Sequence, residues 1–307
     1  MAALAPNDVA LAATTTVADA LPAAVAKKSR RKLGFGFWAP AIWLAVIIIL
    51  SMLAPFLHGV PGIRLQKNDK ISSLVTKLPS AQHWLGTDQN GRDMFSRVIW
   101  GGRVALAVGV VAVVVAMLVG GTFGLIAGYY RGKIETVLNT IVNTLLAFPA
   151  LILVLAITAF LGHDLWNIVA AIAIVAIPAF ARIAYANTLA VSQREYIMAA
   201  RSLGAKNGRI LFREILPNVI LPLSAFALVV TAVAIVAEAG LAFLGLSIAR
   251  PKPSWGSMIN DGRKAMTDRG IWHVSFIPII VMFLTVLSIN LIGDRLRTLI
   301  DPREAKV

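Results

Sequence analysis

Long apolar segments recur along this chain, and they constrain its fold more than any other feature. A hydrocarbon core of about 30 Å is crossed by about 20 apolar residues in a helix, and stretches of that length follow one another without a polar domain between them. Hydrophobic residues make up 58% of the 307 residues and charged residues only 14%, and the mean hydropathy is +0.78. A soluble domain of this size could not bury so much apolar surface. The sequence therefore predicts an all-α integral membrane protein.

Six apolar segments are long enough to be transmembrane helices. The first covers 37–57, after a tail (1–36) of low complexity that is predicted to be disordered. Short basic segments at 27–32, 131–133 and 295–297 follow the pattern of cytoplasmic loops, so both termini, including 299–307, are predicted to be cytoplasmic. The other five spans form a core over 104–298 and are predicted at 104–129, 134–161, 165–191, 219–246 and 275–296.

Charge and motif content exclude several function classes. The net charge of +14 comes from Lys and Arg in short segments between apolar runs, a pattern of membrane topology rather than of nucleic-acid binding. There is no cysteine, no phosphate-binding GxxxxGK[ST], no HExxH, no paired-carboxylate site and no nucleophile elbow. The chain is therefore predicted to be no enzyme and to bind no metal or cofactor. The four histidines lie in separate predicted outer segments without ligand spacing: His58, His83, His163 and His273.

The second predicted span carries small residues at every fourth position. Residues four apart share one face of a helix, and small residues allow two helix backbones to approach closely in a membrane. This stripe is predicted to be a helix contact within the subunit. It consists of Ala112, Ala116, Gly120, Gly124 and Gly128.

A polar loop at 195–218 interrupts the apolar pattern between the fourth and fifth spans. The pattern predicts a short helix over 196–203, a left-handed C-cap at Gly204, a second helix capped by Asn207, and the start of the next span at Pro217. Basic residues along this hairpin suit acidic groups of a partner or lipid phosphates. A docking helix and an interfacial helix without a partner are both compatible with this pattern.

The predicted extracytoplasmic segment 58–103 ends in a polar motif. Asp88 precedes a Gln-Asn-Gly turn, after which an interfacial helix is predicted, with its apolar side on the membrane. Arg92 and Asp93 are then expected to face water or each other. The apolar side of that helix comprises Met94, Phe95, Val98 and Ile99.

Glu238 is the one acidic residue predicted well inside an apolar span. Such a group must be paired or hydrated, so it is either part of a pathway or gate or a partner for a backbone amide or a basic side chain. The extracytoplasmic loop 247–273 that follows is predicted to begin with an irregular, proline-rich turn around Pro251. Candidates for the pathway or outer gate are Glu238, Phe243, Trp255 and Met258.

Three strings in this sequence resemble a known family. The loop string AARSLGAKNGRILFREILPN resembles the EAA loop of ABC importer permeases, with Met198 at the position of the leading Glu. The strings HWLGTDQNGRDMFSRVIWGGRVAL and INLIGDRLRTLIDPR resemble segments of the dipeptide, oligopeptide and nickel branch, and the similarity runs over about 34–303. The chain is identified by this resemblance as a second-permease (C-type) dipeptide permease, a subunit with the type I ABC importer transmembrane-domain fold.

The resemblance implies an assembly in the bacterial cytoplasmic membrane. A homologous second permease would complete the channel, two ATPase subunits holding ATP and Mg would dock on the coupling helix, and an extracytoplasmic binding protein would deliver short peptides. Nickel, glutathione, haem or another small solute is the alternative cargo. A stand-alone secondary transporter would need several intramembrane ionisable residues, of which only Glu238 qualifies in this interpretation. The docking residues would be Tyr196, Ala199, Ala200, Arg201, Leu203, Gly204 and Ala205.

Overall fold

A computed structural model of the protein describes residues 35–56, 78–81, 83–249 and 252–300. Most of the predicted tail, the beginning of the predicted extracytoplasmic segment, and the last seven residues of the predicted C-terminal end lie outside these ranges. His58 and Pro251 also lie outside them.

Helices joined by short connections make up most of the described chain. Five of them (α1, α2, α5, α7 and α9 below) are long and apolar enough to cross a membrane, and the bent pair α3 and α4 adds a sixth if it is counted as one span. The prediction of an all-α membrane fold is confirmed. The helices are α1 (Phe35–Leu53), α2 (Met94–Tyr130), α3 (Gly132–Leu146), α4 (Ala150–Leu161), α5 (Leu165–Ser192), α6 (Glu195–Ser202), α7 (Asn207–Phe243), α8 (Trp255–Arg269) and α9 (His273–Ile300).

The third predicted span is broken in the structure. Its two halves, α3 and α4, meet at an angle of 86°. Pro149 precedes α4 with an extended backbone (ψ 125°), and a residue before proline is driven out of the helical region, which ends α3 close to Ala147. Pro178 and Pro222, by contrast, lie inside α5 and α7, which continue through them.

The small-residue stripe of α2 packs against α5. Added β-carbons would lie 2.9 Å from the Phe180 Cβ at Gly120 and 2.9 Å from the Thr188 Cβ at Gly128. At Gly124 the added atom would lie 2.6 Å from the Ala184 Cβ. Because both helices approach this closely only without side chains at these positions, the predicted helix contact within the subunit is confirmed.

The predicted interfacial helix is part of α2 rather than a separate element. A single 37-residue helix begins at Met94 and runs through the second span. Met94, Val98 and Ile99 are buried against other helices, so the prediction of a separate helix with its apolar side on the membrane is wrong. Apolar residues suited to an interface are equally suited to a protein interior, and the tertiary packing selected the interior.

The helix α8 was not predicted from the sequence. It begins with reciprocal hydrogen bonds: the Ser257 N–H donates to the Ser254 hydroxyl (3.1 Å), and the Ser254 N–H donates to the Ser257 hydroxyl (3.0 Å). It packs closely on α7, since a β-carbon at Gly256 would lie 2.7 Å from the Ala242 Cβ. Much of the predicted loop 247–273 is therefore an ordered helix of 15 residues.

Candidate functional site

The polar loop between α5 and α7 folds as predicted around Gly204. This residue has φ +80°, a left-handed conformation that glycine adopts without strain. The Gly204 N–H donates to the Arg201 carbonyl (3.0 Å), and the Ala205 N–H donates to the Ala200 carbonyl (3.0 Å). These two bonds form the Schellman motif that ends a helix. The predicted C-cap is confirmed, and the turn presents the end of α6 to the surface.

The helix α6 has one inward anchor and a largely exposed remainder. Ile197 is fully buried, whereas Leu203 is 88% exposed. Further apolar side chains of this otherwise polar loop are also exposed, among them Met198 and Phe212. Exposed apolar residues in such a number are typical of a surface that a partner covers. Of the predicted docking residues, Tyr196, Ala199, Arg201, Leu203 and Gly204 are exposed, and Ala200 and Ala205 are half-buried.

The loop is connected to the core by buried isoleucines and by the end of α2. Ile210 and Ile215, in the first turns of α7, are fully buried. The Tyr129 hydroxyl donates to the Asn207 Oδ1 (2.9 Å), and the Arg201 guanidinium lies 5.6 Å from the centre of the Tyr129 ring. Asn207 makes no side-chain cap, so that prediction is wrong: its amide oxygen accepts from α2 instead.

The polar motif before α2 forms a buried cluster of charged residues. The Arg92 Nε donates to the Asp88 Oδ2 at 2.6 Å, and the Arg97 Nε lies 3.4 Å from the same oxygen. Asp88 Oδ1 accepts from the N–H groups of Asn90 and Arg92, each at 2.9 Å. Asp88, Arg92 and Arg97 are all buried. The expectation that Arg92 faces water or Asp93 is therefore wrong.

Asp93 and Gln89 connect this cluster to the surrounding helices. Asp93 Oδ1 accepts from the Ser96 N–H (2.9 Å) and thereby caps α2. Its Oδ2 lies 2.8 Å from the His83 Nδ1. The Gln89 side-chain amide donates to the Asp261 carbonyl of α8 (2.5 Å). The motif therefore fixes the start of α2 against α8, a structural role that the sequence did not reveal.

Glu238 lies in the interior, close to the connection between α7 and α8. It is fully buried, and the Ser247 hydroxyl donates to its Oε1 (2.6 Å). Trp255 and Met258 are also buried, and the Trp255 indole donates to the Val98 carbonyl (2.9 Å). Phe243 is 46% exposed. Of the four candidates for a pathway or gate, only Phe243 reaches the surface of this subunit, and their role remains a prediction.

Sequence reasoning missed a basic residue inside a span. Arg182 lies well within the length of α5, away from both helix ends, and its side chain is exposed. Its Nη2 donates to the Asn143 Oδ1 of α3 (3.3 Å), and the nearby Tyr185 hydroxyl donates to the Glu135 carboxylate. The sequence alone could have identified it, because an arginine within the predicted span 165–191 is a candidate functional residue. Glu238 is therefore not the only ionisable residue deep in a span.

The histidines of the described residues lie in different places. His83 pairs with Asp93, the His163 carbonyl accepts from the Ala249 N–H (3.1 Å), and His273 is buried at the start of α9. Within the described ranges, no three His, Asp or Glu side chains come together as a metal site requires.

Comparison with known proteins identifies the class of this chain. Residues 120–306 match the family of binding-protein-dependent transport system inner membrane components. The glutathione transport system permease protein GsiD of Pectobacterium atrosepticum is 44% identical over 265 residues, which cover 86% of each chain. GsiD of Salmonella typhimurium is 45% identical over 225 residues, covering 73% of this chain and 74% of the relative.

A solved structure shares the fold at low sequence similarity. The inward-facing MetNI methionine ABC transporter matches with a TM-score of 0.55 and 19% identity, over 66% of this chain and 95% of the other. The protein therefore belongs to the inner membrane components of binding-protein-dependent transport systems. It is the permease subunit of an ABC importer, in the branch that includes the peptide and nickel permeases.

Proposed function

We propose that this subunit forms half of a channel for short peptides and transmits the closure of two ATPase subunits to the membrane. A homologous but distinct permease supplies the other half of the channel. The observation that carries the coupling role is the loop at 195–218, which combines an exposed helix end with buried anchors in the core. ATP and Mg belong to the ATPase subunits, and this chain supplies the surface on which they dock.

The docking surface is the end of α6. Leu203 offers an apolar side chain for a cleft in the ATPase, and Arg201 and Lys206 are exposed beside it for acidic groups at the rim of that cleft. Small residues such as Ala199 let the helix lie deep in the cleft. A helix that inserts an apolar face into a groove is a recurrent mode of protein recognition.

Movement of this loop reaches the membrane helices through three connections. Ile197 and Ile210 carry it through the packed core, and the Tyr129–Asn207 hydrogen bond carries it to α2. ATP binding favours one membrane conformation only if the closed ATPase pair binds that conformation more tightly. The coupling free energy therefore depends on how rigidly α6 is joined to α2 and α7.

The relatives support a small peptide-like cargo. They are glutathione permeases by name, and glutathione, a tripeptide, was one alternative to the short peptides predicted from the sequence. An extracytoplasmic binding protein delivers this cargo. The subunit lies in the bacterial cytoplasmic membrane with α6 and both termini on the cytoplasmic side, as its short basic segments indicate.

The test is ATP hydrolysis by the complete importer reconstituted in lipid. The complex contains this subunit, its partner permease, both ATPases and the binding protein, and the substrate is glutathione or trialanine. Gly204→Asp introduces a charge at the docking turn, and Gly204→Asn introduces a side chain of the same size without the charge. Both variants adopt the left-handed conformation at similar cost, since Asn and Asp are the residues that tolerate it best after glycine.

Peptide and binding protein should stimulate hydrolysis in the wild type. Gly204→Asp should lose most of that stimulation while it remains in the membrane, and Gly204→Asn should keep a larger share. Equal activity of both variants and the wild type would show that this turn does not dock. Solute movement by this chain alone, without nucleotide, would replace the importer assignment with a stand-alone transporter.

A further inference from the structure

A polar strip crosses the surface between α3 and α5. It contains the Arg182–Asn143 hydrogen bond (3.3 Å) and, three residues further along α5, the hydrogen bond between Tyr185 and Glu135. Arg182 and Asn143 are both exposed. Among the described residues, no carboxylate forms an ion pair with Arg182. A cation and an amide are thus exposed on a membrane helix pair, with no anionic partner in the part of the chain that the structure describes.

The Arg182 side chain points away from the predicted cytoplasmic segment 131–133. About 15 Å of helix separate Arg182 from Ser192, at roughly 1.5 Å per residue. The Arg182 guanidinium donates to Asn143 of α3 (3.3 Å), and roughly 15 Å of α3 separate Asn143 from Lys133. Basic side chains at the end of a span extend toward the headgroups, whereas this one extends toward the far end of α3.

The adjoining surface of α3 is polar as well. The exposed hydroxyls of Thr136, Thr140 and Thr144 each donate to the carbonyl one turn earlier in the same helix, at 3.1, 2.7 and 2.8 Å. Their donors are satisfied within the helix. Threonine and asparagine also hydrogen-bond across membrane helices, so these residues alone do not select water. The arginine does: an ionisable side chain within a span faces a water-filled cavity or the interior of the assembly and takes a charged or polar partner there.

We propose that Arg182, oriented by Asn143, binds a carboxylate group of the transported solute within the membrane. This inference rests on the proposed importer function and identifies one wall of its pathway. The planar guanidinium matches a carboxylate with two parallel N–H groups. Asn143 engages one guanidinium nitrogen, and the others have no partner among the described residues. Short peptides carry at least one carboxylate, so the site suits the proposed class of cargo.

The natural absence of cysteine allows a direct test of the pathway. Thr140→Cys places one thiol beside Arg182 and Asn143 without removing either. The complete importer, in lipid nanodiscs, is treated with an anionic (sulfonatoethyl) or a cationic (trimethylammonioethyl) methanethiosulfonate. Thr122→Cys is the control, because Thr122 is exposed on an apolar face of α2 beside the exposed Leu118.

The thiol at position 140 should react with both reagents, faster with the anionic one, and glutathione should slow the reaction. Adding Arg182→Gln should lower the anionic preference about tenfold, as expected when a local positive potential is removed. The control thiol should remain unlabelled. An unreactive thiol at position 140, or a preference unchanged by Arg182→Gln, would overturn the proposal.

Glutathione uptake supplies the second readout. Arg182→Gln should lower the uptake rate at least tenfold, and Arg182→Lys should retain part of it, with the partner permease and the ATPases still copurifying. Loss of the partner permease from the Arg182→Gln complex would place the arginine in a subunit interface and contradict the proposal. Uptake by Arg182→Gln at the wild-type rate would also contradict it. If the wild-type complex itself moves no peptide, the importer proposal fails, whereas the labelling result still decides whether the strip is an aqueous, anion-attracting surface.

Discussion

Gly124→Ala should weaken the contact between α2 and α5. The added methyl group would lie 2.6 Å from the Ala184 Cβ and 2.6 Å from the Tyr185 backbone nitrogen, and it would also meet the Ala181 carbonyl oxygen. Carbon atoms pack best at about 3.5–4.0 Å, so the two helices must separate by roughly 1 Å at this point. Two of the three neighbours are backbone atoms, which cannot move by changing a side-chain rotamer.

The magnitude follows from two opposing effects. Overpacking costs about 1–3 kcal/mol. Separating the helices by about 0.5–1 Å also weakens the dispersion contacts along the rest of the stripe. Each atom pair contributes about 0.1–0.2 kcal/mol, and such a gap removes a quarter to a half of that energy. The higher helix propensity of alanine returns at most about 1 kcal/mol. The net expectation is a loss of about 2 kcal/mol, or an unfolding temperature lower by roughly 3 °C for a chain of 307 residues.

The assay is thermal unfolding of the purified subunit in one detergent, followed by size-exclusion chromatography of the heated samples. Gly121→Ala is the matched control on the same helix, because its added atom meets only the flexible end of Leu223, at 3.0 Å. The control should unfold at the wild-type temperature or slightly above it. Identical unfolding of both variants would refute the close approach of α2 and α5 at Gly124.

Three further predictions concern the polar contacts. Tyr129→Phe removes the hydrogen bond to Asn207, a loss of about 0.5–1.5 kcal/mol, so hydrogen–deuterium exchange in the 195–218 loop should accelerate while the complex stays assembled. Asp88→Ala removes the carboxylate that two buried guanidinium groups share, a change of about 3–5 kcal/mol, and folded protein should be largely lost from the membrane. Glu238→Gln keeps an oxygen acceptor for its serine donor, so peptide uptake should remain near wild type; a collapse of uptake in a stable complex would favour a gating role for the acid.

Whether a proline ends a helix could not be predicted from the sequence. Pro149, Pro178 and Pro222 lie within or near predicted spans, where the missing backbone donor predicts a bend. Of the three, Pro149 separates two helices, at an angle of 86°. The other two lie inside α5 and α7, which continue through them. Each proline removes one backbone donor wherever it stands, and the packing around it decides whether the helix ends.

Polar side chains depended even more on their surroundings. Asn207 was suited to a helix cap but accepts from Tyr129, which lies far away in the sequence. Arg92 was expected to face water or Asp93, but it is buried and donates to Asp88. Arg182 was visible as a cation in an apolar segment, but its exposed position beside Asn143 depends on how α3 packs against α5.

Local patterns in the sequence were enough to predict the all-α membrane fold, the small-residue contact face of α2, the left-handed turn at Gly204 and the permease family. These features depend on hydropathy, helical spacing and the conformational preference of single residues, all of which are local. Three features depend on tertiary packing: α3 and α4 diverge, Trp255 and Glu238 are buried, and a polar strip is exposed beside Arg182. Burial and pairing depend on residues distant in sequence, so no local pattern specifies them.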